Sequence, residues 1–286
     1  MMIRISDRDK KLLELLAKFE VMSSKQLRSL VFGKIPETNF FRRMRDLEKA
    51  KMIKRMGPMT DHSYAWLLAE KGKSVMGFED MDIYKNRLTL EHDVTLTEVR
   101  MVLESVGLGK NIIGEGQLRR KAREQKSRHY DQSKKIIVPD SLIPVMLGSR
   151  AEVFALELEL NFKNRLRYFE LFKKYAWMDG VFAIWYVVPS PLMADRMLLE
   201  WDYFHRKMQG SYIKDKIFCV TELDQLLKDP MNALIRDNKG EVKLSEWWNF
   251  KTPNIELKPI EKDQKNIDQL HDQALIENRS LKPEAA

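Results

Sequence analysis

Through the first third of the chain, apolar residues return every three or four positions in short runs, each fenced by residues that start or stop helices. Leu12, Leu13, Leu15, Leu16 and Phe19 form one such face, preceded by Ser6 and Asp9 at capping-box spacing. A second start at Ser23-Ser24 leads into Gln26, Leu27, Leu30 and Val31 and closes at Gly33. Pro36 opens a third helix, where Phe40, Met44 and Leu47 fall at i, i+4 and i+7 and so must face the other two helices. The opposite side carries Asn39, Arg42, Arg43, Arg45 and Lys49. Met52–Arg55 and Ser63–Leu68 then flank a Gly57-Pro58 turn, the pattern of a hairpin, and a helix from Glu70 to Met76 follows. Three helices and a basic-edged hairpin predict a winged helix-turn-helix over residues 1–80.

The remainder alternates between the two periods. Leu88 to Glu104 reads as a helix with Leu90, Val94, Met101 and Val102 on one stripe. Glu98 shares that stripe and needs a partner there: a base, a metal, or a salt bridge at the stripe's edge. Leu118 to Lys135 reads as a loop or irregular hairpin. Strands are predicted at Lys135–Val138, Ala151–Leu160, Val181–Val188 and Lys216–Val220, with helices from Asn164 to Met178 and from Ser190-Pro191 to Met208. Strands alternating with helices imply a mixed sheet with helices packed on it, over residues 86–252. Trp247, Trp248 and Phe250 either complete that core or form an aromatic docking patch. Residues 257–286 are polar, charge-mixed and poor in apolar residues, the composition of a tail. The fold class is therefore α+β, a winged helix followed by an α/β domain.

Charge sharpens this picture because it is clustered. Among 286 residues, 50 are basic and 42 acidic, a formal net charge of +8. The basic face of the third helix continues through Lys51, Lys54 and Arg55 into the hairpin, as a helix set in a DNA major groove and a wing on phosphate would require. The other possibility is an ordinary solvated face. Arg119, Arg120, Lys121, Arg123, Lys126, Arg128, Lys134 and Lys135 make a second basic stretch, suited to following a phosphate backbone or simply to solvation.

One cysteine, Cys219, lies in an apolar run and forms no internal disulfide, which fits a reducing compartment. The N-terminus lacks a signal-like apolar segment, and the longest apolar run, Val181–Val188, is too short for a bilayer; the expected location is the cytoplasm. Gly107-Leu108-Gly109-Lys110 has neither the spacing nor the hydroxyl residue of a phosphate loop, and no GxSxG elbow or HExxH pair occurs. The histidines at 62, 92, 129, 205 and 271 do not fall at metal-ligand spacing.

The remaining chemistry is acidic. Asp140, set by Pro139 just after a strand, and Glu157 and Glu159, spaced i, i+2 on the next, converge if the two strands are neighbours. Clustered carboxylates repel and raise one another's pKa unless a cation such as Mg2+ or Mn2+ neutralises them. The alternative is a sheet with one wet face, on which Glu157 and Glu159 alternate with Leu156, Leu158 and Leu160.

Asp140, Glu157, Glu159 and Lys163, with Tyr168 and Tyr175 on the following helix, resemble the motif of the PD-(D/E)xK nuclease-like domain. Asp7-Arg8-Asp9 to Leu16, Ser24 to Phe32, Arg42 to Arg55, Trp66-Leu67-Leu68-Ala69-Glu70-Lys71-Gly72 and Leu90-Glu91-His92-Asp93 resemble the replication-relaxation family. That resemblance spans about residues 5–225. It implies a DNA-binding protein of plasmid or mobile-element mobilisation or replication, with double-stranded DNA and a relaxase as partners. Carried over, Asp140 and Glu157 are metal ligands and Glu98 is the carboxylate of the leading helix. Glu159 stands where the motif has lysine, so the resemblance implies a non-cleaving domain unless Lys163 reaches back to replace it. The rival readings are an active Mg-dependent endonuclease and a winged-helix transcription repressor working as a homodimer.

Overall fold

The structure, a computed structural model, describes residues 4–79, 86–108, 111–126, 138–147, 150–178, 180–208 and 216–251. The chain divides into two compact units, Met1–Glu98 and Val99–Ala286.

In the first unit, α1 (Asp7–Phe19) starts at a full capping box between Ser6 and Asp9. β1 (Met22–Ser23) leads into α2 (Ser24–Leu27), capped by Ser23 and Gln26 in the same reciprocal way. A five-residue π-helical segment, Arg28–Phe32, extends α2 and stops at Gly33, whose φ of 54° suits glycine. α3 (Glu37–Lys49) follows Pro36, and its Phe40, Met44 and Leu47 are fully buried, as the spacing requires. β2 (Ile53–Met56) and β3 (Ala65–Leu68) form the predicted antiparallel hairpin, and β1 pairs on the other side of β3. α4 (Glu70–Val75) then packs so tightly on the start of β2 that a Cβ on Gly72 would stand 2.0 Å from the Met52 carbonyl oxygen. A 3-10 turn at Arg87–Thr89 opens α5 (Leu90–Ser105), within which the division between units falls. The first half of α5 is tied to the first unit by Gln26 Nε2 donating to the Val94 carbonyl (3.1 Å) and Thr97 Oγ1 to the Val21 carbonyl (2.9 Å).

The second unit is built on a seven-stranded mixed sheet. β4 (Ile113–Gly114) and α6 (Glu115–Lys126) precede the hairpin of β5 (Ser141–Leu147) and β6 (Arg150–Leu158). α7 (Arg165–Ala176) crosses from β6 to the parallel β7 (Ala183–Val188), and α8 (Pro191–Lys207) crosses to the parallel β8 (Ile217–Glu222). α9 (Leu223–Lys228), the hairpin β9 (Leu234–Asp237) and β10 (Gly240–Lys243), and α10 (Leu244–Lys251) complete it. Strand order across the sheet is β10-β9-β8-β7-β6-β5-β4.

Both faces of the central strands are covered. Tyr168, Phe172 and Tyr175 of α7 and Met193, Met197, Trp201 and Phe204 of α8 pack on Val153, Ala155, Ile184, Tyr186 and Val188. On the opposite side Trp247 of α10 meets Phe154 and Trp185 at ring distances of 5.3 and 6.5 Å. Trp247 therefore belongs to the core, while the side chains of Trp248 and Phe250 lie outside the described residues.

Three expectations change. The basic stretch after Leu118 opens as helix α6 rather than as a loop: Leu118 is buried and Glu115 pairs with Arg119 at i, i+4. Arg128, Lys134, Lys135 and the tail from 257 lie outside the described residues. The strand beside β6 is one that follows Asp140, since pairing starts at Ser141 opposite Leu156; of the predicted strand Lys135–Val138 only Val138 is among the described residues. Glu98 lies on the solvent side of α5, one turn after Thr95 and two turns after Glu91. Leu96, Val99 and Leu103 occupy the buried side instead.

Candidate nucleic-acid interface and carboxylate site

The face of α3 opposite Phe40, Met44 and Leu47 exposes Asn39, Arg42, Arg45 and Lys49. Lys54 and Arg55 are exposed on β2, where Arg55 lies 3.6 Å from the Glu48 carboxylate and 4.8 Å over the Tyr64 ring. Arg43 does something else. It donates from Nε (2.9 Å) and Nη2 (2.5 Å) to the two oxygens of Asp9, whose side chain is 1% exposed, and Nη2 also reaches the Arg4 carbonyl. Burial alone would raise the Asp9 carboxyl, but the hydrogen bonds from Arg43 and Ser6 outweigh it and hold it below the usual carboxylate range. One acid thus caps α1 and pins α3 to it, so Arg43 sets the angle at which its exposed neighbours are presented.

The hairpin is held in a similar way. Glu91, at the start of α5, accepts the Thr60 N–H at 2.6 Å and its hydroxyl as well, and these bonds lower its carboxyl pKa. Asp61 bonds Lys25 (2.8 Å) and the backbone and hydroxyl of Ser63, which hold its carboxyl well below the usual range. Of the second basic stretch, Arg119 is exposed and paired with Glu115, Arg120 is half-buried, and the Lys121 side chain lies outside the described residues.

In the second unit Asp140, Glu157, Glu159 and Lys163 do come together. Asp140 Oδ2 accepts the Leu158 N–H at 2.8 Å, holding the acid beside the end of β6. Glu157 and Glu159 continue the alternation of Val153 and Ala155 onto the face covered by α7, so the wet-face alternative fails. Tyr175 donates its hydroxyl to Glu157, and Lys163 reaches back to an ion pair with Glu159. The backbone N–H of Lys163 donates to the Tyr168 hydroxyl (3.0 Å). Burial, and then the Asp140 charge, push the Glu157 carboxyl well above its ordinary pKa, although the residue keeps a partial opening to solvent. Burial, followed by the neighbouring carboxylates, also raises the hydroxyls of Tyr175, Tyr186 and Tyr168. Tyr186, which faces Glu157 across the parallel β6–β7 pairing, is the member that sequence reasoning missed. Its only signal was a polar tip inside the buried run Ala183–Val188.

Within the site the acids are answered by protein groups. Among the described residues no three His, Cys, Asp or Glu side chains are grouped to hold a metal ion. Each of the three carboxylates already takes a hydrogen bond or an ammonium. Glu98 is exposed on α5 in the first unit. Burial and the Asp140 charge favour the neutral form of Glu157, and Lys163 balances Glu159.

A helix-rich basic unit followed by a mixed-sheet α/β unit is the frame against which known proteins compare. The family model described as replication-relaxation matches residues 13–175, more than half of the chain, and the protein belongs to that family. Among proteins with curated descriptions, none matches. Among solved structures, the restriction endonuclease FokI bound to DNA aligns with 11% identity and a TM-score of 0.24, covering 79% of this chain and 45% of that one. The chain thus spans less than half the length of that enzyme, and a TM-score of this size defines no shared fold. Among the described residues no helix is long and apolar enough to cross a membrane.

Proposed function

We propose that this protein binds double-stranded DNA through α3 and the β2–β3 hairpin, as a winged helix, and acts in the replication or mobilisation of a plasmid or mobile element beside a relaxase-type partner. The observation that carries this is the exposed row Asn39, Arg42, Arg45 and Lys49 on a helix whose opposite face is buried and whose pitch Arg43 fixes against Asp9. Arginines held in this way can pair bidentately with guanine, and Lys54 and Arg55 on the adjacent strand supply phosphate contacts. Membership of the replication-relaxation family supports the biological setting.

The nuclease-like site of the second unit is non-cleaving in this proposal. Glu159 occupies the place of the motif lysine, and Lys163, the substitute that could reach back to it, is paired with Glu159 itself. The rival, an Mg2+- or Mn2+-dependent endonuclease, draws on Asp140 lying close enough to Glu157 to raise its pKa. Incubation of supercoiled DNA with Mg2+, Mn2+ or EDTA separates the two. The expected result is a retarded but intact plasmid under all three conditions. Metal-dependent nicking that disappears in Asp140→Ala would establish the endonuclease instead.

A further inference from the structure

The loop from β6 into α7 and one stripe of α8 form a second basic surface, built differently from the first. Arg196, Glu200, Tyr203 and Lys207 follow one another at i, i+4, i+7 and i+11 along α8, a single face of the helix. Arg196 lies 4.4 Å over the ring of Phe162, which contacts Tyr168 at 4.9 Å between centroids. Lys163 lies 6.0 Å over Tyr168. Arg165 holds Glu200 through two hydrogen bonds of 2.8 and 3.0 Å while lying 4.7 Å over Tyr203, and Lys207 approaches the same ring at 5.8 Å. Four cations are thereby spread over three aromatic rings.

The charges do not cancel. Glu159 and Glu200 balance Lys163 and Arg165, whereas Arg196 and Lys207 make no ion pair among the described residues and are exposed. The other acids of α8 are engaged elsewhere, Asp195 with Arg236 (2.5 Å) and Asp202 with Asn238 (2.7 Å). A flexible surface cation gains little from one carboxylate in water, but a cation laid on a ring is oriented before any ligand arrives. We infer that this ring-held band is a nucleic-acid backbone site, in which Arg196 and Lys207 each neutralise a phosphate. The rings lie under the cations and are not open for bases to stack, so the contact is to phosphodiester and independent of sequence. It belongs to the second unit, whereas α3 belongs to the first.

The test uses the full chain carrying Arg42→Ala/Arg45→Ala, so that the residual binding is read without the α3 arginines. Fluorescence anisotropy with a labelled mixed-sequence oligonucleotide of about 30 nucleotides, single-stranded and duplex, is followed across salt concentration. Adding Arg196→Gln/Lys207→Gln is expected to weaken the residual binding and to flatten the log–log salt slope by about 1.4 on the single strand or about 1.8 on the duplex, whichever form the band holds. A charge-matched control, Lys228→Gln/Lys243→Gln, changes exposed lysines of α9 and β10 that take no part in the cation–ring contacts and is expected to leave the slope as it was. Arg196→Lys, which retains the charge on the ring, should restore most of the lost binding and guards against a folding artefact. An unchanged slope in the band variant on both probes, or an equal loss in the control, overturns the assignment. Failure of the α3 surface would show separately, as Arg42→Ala/Arg45→Ala alone leaving duplex affinity intact.

Discussion

Asp9 joins two tasks in one carboxylate, and that makes it a sensitive position in the first unit. Asp9→Ala removes a cap and strands the Arg43 guanidinium, which is 27% exposed, at an expected cost of about 2 to 4 kcal/mol read from denaturant titration. Gly72 is constrained by space rather than charge. Gly72→Ala puts a methyl group into the Met52 carbonyl and should cost about 1 to 3 kcal/mol, although alanine is ordinarily the better helix former. Glu157 supplies a pH-dependent term. Its folded pKa lies above the unfolded value, so its contribution to stability is complete at acid pH and is lost as pH rises through the raised pKa. Glu157→Gln keeps an oxygen for the Tyr175 hydroxyl but cannot ionise. Thermal melts of the variant should therefore lack that decline with rising pH; a decline equal to the wild type's would mean that other groups cause it.

At the scale of elements, the sequence was most readable where a helix has one apolar stripe. Phe40, Met44 and Leu47 placed α3 correctly, and the same spacing contains the clue to Arg43, which lies three residues after Phe40 and hence at the edge of the buried face. Grouping it with Arg42 and Arg45 by charge hid this, because charge says nothing about which side of a helix a residue occupies. α5 failed for a related reason. Two overlapping stripes are available in Leu90–Ser105, and only tertiary contacts through Val94 and Thr97 choose the one that exposes Glu98. α6 was obscured by its run of basic residues, and the β9–β10 hairpin by strands as polar as Leu-Ile-Arg-Asp and Gly-Glu-Val-Lys. Pro144 interrupts the run Ser141–Leu147, and a proline inside such a run argues against a strand, which is why the strand that follows Asp140 was not predicted.

For the whole molecule, the mixed sheet followed from alternating periodicities, and the approach of Asp140 to Glu157 followed from neighbouring strands. What remained illegible was electrostatic: whether those acids are answered by a metal, a proton or a lysine depends on Tyr175, Tyr186 and Lys163 converging from three separate segments. The same holds for the cation–ring band, whose members come from the β6–α7 loop, α7 and α8. In this account, recognition belongs to the α3 face, while the carboxylate site is a closed network. The direct test is an anisotropy titration of the full chain against a duplex selected for binding to it, comparing wild type with Arg42→Ala/Arg45→Ala at one fixed salt concentration. The account predicts affinity weaker by on the order of 10- to 100-fold with the fold intact by circular dichroism; a folded double variant that binds the duplex as tightly as wild type would contradict it.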